Sequence, residues 1–133
     1  MDKLLSIAAR VLMAQIFVIS GFSKITGYSG TQAYMAKMGM PGFLLPLVIL
    51  TELGGGLALV FGFKTRWAAL ALAGFTLLGT FIFHTKFSDP MQMINFMKNL
   101  AITGGLLLLV KYGAGQPSVD ETAARSGTYP GRI

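Results

Sequence analysis

The sequence predicts an all-α fold: a four-helix transmembrane bundle with a short interfacial helix between spans one and two. Three observations predict it. Of 133 residues, 53% are hydrophobic and only 12% charged, with mean hydropathy +0.65, whereas a soluble domain carries about a quarter charged residues. Four apolar runs each approach the roughly 20 residues that cross a hydrocarbon core. The cations gather near the ends of those runs, so the net charge of +6 reads as positive-inside bias. The expected partner is the lipid bilayer, not nucleic acid.

Two absences narrow the chemistry. There is no cysteine and a single histidine, His84. That removes a disulfide framework, a cysteine zinc site, an iron–sulfur cluster held by this chain and a thiol catalyst. No metal site and no covalently bound cofactor are expected.

Span one runs from Leu4 to about Gly27. Arg10 interrupts its apolar run and no small-x-small site follows, so it reads as a retained span. Arg10, Phe17 and Lys24 are spaced by seven residues and share one helical stripe, with Ser20 and Gly21 close to it. The connector from Tyr28 to Gly42 contains an amphipathic piece, Thr31–Met38, and Tyr28 and Tyr34 suit the headgroup level. Span two, about Phe43–Phe61, has Pro46 in its first turn, where a missing N–H matters little. Glu52 lies near its middle, followed at once by Gly54, Gly55 and Gly56. With Gly21, these are the expected helix-packing glycines, since small residues let helices approach closely.

The turn from Gly62 to Arg66 offers Thr65 as an N-cap. Span three is about Arg66–Lys86, with Trp67 at the interface and Thr80 and His84 sharing a face. Ser88-Asp89-Pro90 reads as a cap followed by proline at the first helical position. Span four, about Met91–Tyr112, places Asn95 and Asn99 on one face. The expected organisation is a membrane domain over residues 1–112 and a polar, exposed, poorly ordered cytoplasmic tail over 113–133. Counting cations puts both termini in the cytoplasm, and the expected location is a bacterial inner membrane.

Ionisable groups inside a span face the bundle interior and find partners. Counting 1.5 Å per residue from the span ends sets Arg10 roughly 9 Å up and Glu52 roughly 14 Å up, with Lys24 about 15 Å higher still. The expectation is therefore a buried Arg10–Glu52 ion pair. Lys24, His84, Asn95 and Asn99 form an outer polar tier able to hold a small ligand or a quinone headgroup. Each has a plainer reading: the ion pair fixes helix register, Lys24 snorkels, His84 is interfacial, and the asparagines join helices.

The pattern Phe17-x-x-Ser20-Gly21-x-x-Lys24, then Gly39-x-Pro41, Glu52-x-Gly54-Gly55 with Leu59 and Gly62, then Thr65-Arg66, resembles the DoxX family of small four-helix membrane proteins over about residues 7–88. The resemblance implies membrane redox work: a subunit linked to quinones, or to oxidative and thiol stress. With no nucleotide motif and no redox ligand set, a bound quinone or an oxidoreductase partner, soluble or membrane-bound, would carry the electrons. Two other readings stay open. One is a non-catalytic anchor or assembly subunit. The other is a small-solute or proton carrier, which would need a homo-oligomer because four spans leave little room for a pore. Whether the chain is an enzyme stays open too.

Overall fold

The computed structural model describes residues 2–126. Among them are four helices long and apolar enough to cross a membrane, and the bundle they form is all-α as expected. Helix α1 is Asp2–Thr26 and α2, the short connector helix, is Tyr28–Lys37. Helix α3 is Gly42–Phe61. Helix α4 is Thr65–Phe83, α5 is Pro90–Tyr112, and a further helix, α6, is Val119–Ser126.

Local chemistry sets the boundaries. Asp89 accepts from Met91 N at 3.0 Å with Pro90 in the first turn of α5, as the sequence suggested. Helix α3 closes on Gly62 in the left-handed region, φ 70°, with Phe63 N donating to Ala58 O and Gly62 N to Leu59 O. This is a Schellman motif, in which glycine is favoured because it has no Cβ to clash. Helix α3 is not uniform. It opens on a 3₁₀ turn, Gly42–Leu44, and carries a π-turn over Leu50–Gly54. Glu52 stands inside that π-turn. Such turns admit an extra residue and recur at functional sites.

Glycine sets how α1 and α3 meet. A β-carbon on Gly21 would stand 3.1 Å from both Cβ and N of Leu53, and one on Gly56 would stand 2.8 Å from Val18 Cγ2. Gly55 faces α4 instead, with 3.0 Å to Leu72. Gly54 does not pack as expected: it is exposed, and its nearest neighbour is Leu50 of its own helix at 3.9 Å. The π-turn ends on it and turns it outward.

The core lies in the half of the bundle nearest the termini. Ala14, Phe17, Leu59, Ala69, Leu72, Ala73 and Leu106 form it. Helices α4 and α5 run closely together, and α3 meets α4 mainly through the part nearest their turn. Above Leu72 the outer half of α3 leaves α4.

The chain after α5 departs from the expected tail. Residues 113–126 turn back onto the bundle, and Ala114 is buried. Residues 127–133 of that expected tail lie outside the described residues. Asp120 N donates to Gly62 O at 2.8 Å, and its carboxylate accepts from Lys64 N at 2.6 Å and Thr65 N at 2.8 Å. Asp120 therefore caps α4 from a distance. Thr65, expected to do so, is instead the first residue of the helix, buried, and its hydroxyl has no hydrogen-bond partner among the described residues. A cap supplied by a later segment leaves no local signal. The same fold-back sets Gly115 against Ser6, so the described N- and C-terminal segments share one side of the bundle.

Asp120→Ala removes the acceptor for two N–H groups at the start of α4. It should cost about 1 kcal/mol, the usual scale for a lost cap, read as a lower Tm in detergent. Thr122→Ala, at an exposed position of α6, should leave Tm unchanged.

Candidate functional site

Two polar stripes converge at the middle of the bundle. Ser20 and Lys24 lie one helical turn apart on α1, and Lys24 Nζ donates to Ser20 Oγ at 2.7 Å. The same Nζ meets Glu52 Oε1 at 2.5 Å. Glu52 is nearly enclosed, with 5% of its side chain exposed, against 26% for Lys24.

This pairing corrects the expected Arg10–Glu52 bridge. The depth count assumed that the apolar start of span one is level with the end of span two. The glycine contacts set a different register. Gly21 is level with Leu53 and Val18 with Gly56, while Arg10 reaches the turn at Gly62. Glu52 is then level with about residue 22, only ~3 Å from Lys24 along the axis. Helix α1 is displaced toward the terminal side, where its first turns meet the folded-back segment.

Arg10 is also buried, 3% exposed, but its partners lie elsewhere. Its guanidinium donates to the carbonyls of Pro117, Val60 and Ser6, and it interacts electrostatically with Asp120. It fixes the C-terminal fold-back, not Glu52. Carbonyl oxygens and a carboxylate are suitable acceptors for a group that presents five N–H donors in a fixed fork.

Above the packed core, the divergence of α3 from α4 leaves a cavity of about 770 Å³, within the size range of small-molecule sites. Its polar lining includes Ser20, Lys24, Thr51, Glu52, Thr76, His84 and Asn99. The rest is mostly aliphatic and aromatic, including Leu47, Leu70 and Leu78, which are also exposed on the membrane-facing surface. The cavity thus opens sideways between helices. Helix α2 covers its outer end: Thr31, Tyr34 and Met35 contribute to the wall, and Tyr34 stacks on Phe83 at 5.5 Å between ring centroids.

Of the expected outer tier, Lys24, His84 and Asn99 meet in this cavity and Asn95 does not line it. His84 Nδ1 is buried with no hydrogen-bond partner among the described residues. The tier also gains Glu52, which had been assigned elsewhere. Sequence reasoning missed Ser20 and Tyr34 as members. The four-residue spacing of Ser20 and Lys24 carried the first; nothing local carries the second. The arrangement offers an ammonium–carboxylate pair, a hydroxyl, an imidazole and an amide to a ligand whose remainder is apolar. Among the described residues no group of three histidine, cysteine or acidic side chains could hold a metal ion.

The DoxX family model matches residues 5–85. The chain belongs to the DoxX family. The match takes in α1 to α4, and with them Ser20, Lys24, Glu52 and the beginning of the cavity's outer wall at His84, while α5 and Asn99 fall beyond it. Among similar proteins is the inner membrane protein YqjF of Escherichia coli K12, 57% identical over 114 residues, covering 86% of this chain and 88% of that protein. The inner membrane protein YphA of the same organism is 37% identical over 124 residues, covering 87% and 88%. CatD of Bacillus subtilis, provisionally named an oxidoreductase, is 36% identical over 73 residues, covering 55% and 54%. No solved structure matches the chain.

The ion-pair assignment has a direct check in a double-mutant cycle read by thermal unfolding. Removing one member of a buried pair typically costs about 3–5 kcal/mol, because the other charge is stranded. Glu52→Gln and Lys24→Met should each lower stability sharply, and the double variant by much less than their sum. Arg10→Gln should add to Glu52→Gln without coupling.

Proposed function

We propose that this DoxX protein holds a membrane-dissolved quinone in the cavity beside Lys24 and Glu52 and serves as a quinone-linked redox subunit. The observation that carries the reading is the cavity's construction. Apolar walls open toward the bilayer and lead to polar groups that run from Glu52, in the middle of α3, to His84, just past the end of α4. A quinone head needs donors for its carbonyl oxygens, which Lys24, Ser20, His84 and Asn99 could supply. Its tail needs an aliphatic passage, which Leu47, Leu70 and Leu78 could supply. The groups fit such a ligand better than an anion, because Glu52 already neutralises Lys24.

The bound quinone would carry the electrons; the chain's own residues would bind and orient the head and keep water away. Glu52 and His84 are the groups able to exchange a proton at the head. Because the chain has no other redox group, the electrons would pass to or from an oxidoreductase partner. The provisional name of CatD agrees with this direction. The names of YqjF and YphA, together with the cation bias, support a bacterial inner-membrane location with both termini cytoplasmic.

Equilibrium titration of the purified protein in nanodiscs with a short-tailed quinone analogue tests the reading. Saturable binding is expected in the wild type. Glu52→Gln and His84→Ala should each weaken it about tenfold, equivalent to about 1.4 kcal/mol, while Lys86→Ala, outside the cavity, should not. Non-saturable uptake, or variants that bind like wild type, would leave the protein as an anchoring or assembly subunit.

A further inference from the structure

A second cluster stands at the end of the bundle opposite the cavity's polar groups, and its Leu70 also borders the cavity. Arg66 lies in the first turn of α4. Its guanidinium covers the backbone just past α5: a β-carbon on Gly113 would stand 3.1 Å from Nε and 3.5 Å from Nη2. Gly113 also has φ 79°, so both its conformation and this contact favour glycine. Arg66 Nε is buried and has no hydrogen-bond partner among the described residues. Lys111 lies two residues before Gly113, with its Nζ 5.0 Å from the centroid of the Tyr112 ring.

Two carboxylates of this end, on α6, are engaged elsewhere. Asp120 accepts from Lys64 N and Thr65 N and faces Arg10. Glu121 accepts from Gln116 Nε2 at 3.2 Å. The Nε edge is closed off by the chain, but Nη1 and Nη2 are not buried and have no hydrogen-bond partner among the described residues, so that end of the guanidinium is open to an anion from outside the chain. A guanidinium fork matches two oxygens of a phosphate.

The surroundings indicate where that phosphate comes from. Trp67 and Tyr112 are both largely exposed, and such rings settle at the headgroup level. Leu70 shares a face of α4 with Arg66 and Trp67, and Leu108 shares a face of α5 with Lys111 and Tyr112. Both leucines are exposed. Cations and amphipathic rings at the helix ends thus continue into aliphatic surface running toward the bilayer centre. Basic pockets between transmembrane helices bind phosphorylated headgroups in this way. We propose that Arg66 and Lys111, at the junction of α4 and α5, bind the phosphate of an anionic phospholipid whose acyl chains lie along Leu70 and Leu108.

Native mass spectrometry of the full chain in detergent, titrated with phosphatidylglycerol and with phosphatidylcholine of the same acyl chains, tests this. Wild type should prefer phosphatidylglycerol. Arg66→Gln and Lys111→Gln should each lower that preference about fivefold, the scale expected per cation at a membrane surface. Arg66→Lys, which keeps the charge without the fork and guards against a fold defect in Arg66→Gln, should fall between. Lys37→Gln, on α2 at the other end, should match wild type. Equal binding of the two lipids, or unchanged preference in both glutamine variants, would overturn the proposal. Displacement of phosphatidylglycerol by millimolar inorganic phosphate would overturn the lipid assignment in favour of free phosphate.

Discussion

The close approach of α1 to α3 governs where every polar group in this bundle ends up. Gly21 and Gly56 leave no room for side chains at the two contact points, so the helices can interlock there in one register. Within a membrane the hydrophobic effect does not drive helices together, and this kind of backbone proximity takes its place. The register carries Lys24 down to the level of Glu52 and sends Arg10 to the turn at Gly62. Shifting it by one helical turn would carry Glu52 away from Lys24 and still leave it roughly 12 Å from Arg10 along the axis. The glycines permit the register, and the charges penalise departures from it.

The Lys24–Glu52 pair is not simply a source of stability. Two charges removed from water lose solvation that their attraction repays only in good geometry, and an apolar substitute of equal volume is often no worse. What the pair adds is placement: an ammonium and a carboxylate held at mid-depth beside a cavity. The π-turn serves the same end, because it rotates Glu52 relative to the glycines that follow and turns Gly54 away from the bundle. Arg10 works differently. It ties α1 to a segment more than a hundred residues later through carbonyls and Asp120. That segment in turn caps α4, so the packed half of the bundle is closed by the part of the chain that looks least structured.

Much of this was legible in the residues. Hydropathy gave the four spans, and the seven-residue spacing of Arg10, Phe17 and Lys24 gave the buried stripe of α1. Asp89-Pro90 marked the start of α5. The convergence of Lys24, His84 and Asn99 followed from their positions near one end of three different spans. The ion pair did not follow, because relative depth depends on how far one helix slides along another, and run boundaries do not contain that. The contacts of Gly21 and Gly56 do contain it, once their partners are known. The remote cap by Asp120 was invisible for a related reason: a polar stretch rich in Gly, Pro and Ser reads as tail unless Asp120 can be matched to a helix N-terminus fifty-five residues earlier.

The register of α1 against α3 is open to direct measurement, because the chain has no cysteine of its own. Paired cysteines can be introduced and oxidised in native membranes, and disulfides form only when the β-carbons stand roughly 3.5–4.5 Å apart. The β-carbons of Gly21→Cys and Leu53→Cys would start 3.1 Å apart and reach that window with a few tenths of an ångström of give, so this pair should cross-link, and Met13→Cys with Leu53→Cys should not. The opposite outcome, a bridge through residue 13 and none through residue 21, would move Glu52 to the level of Arg10 and contradict the account.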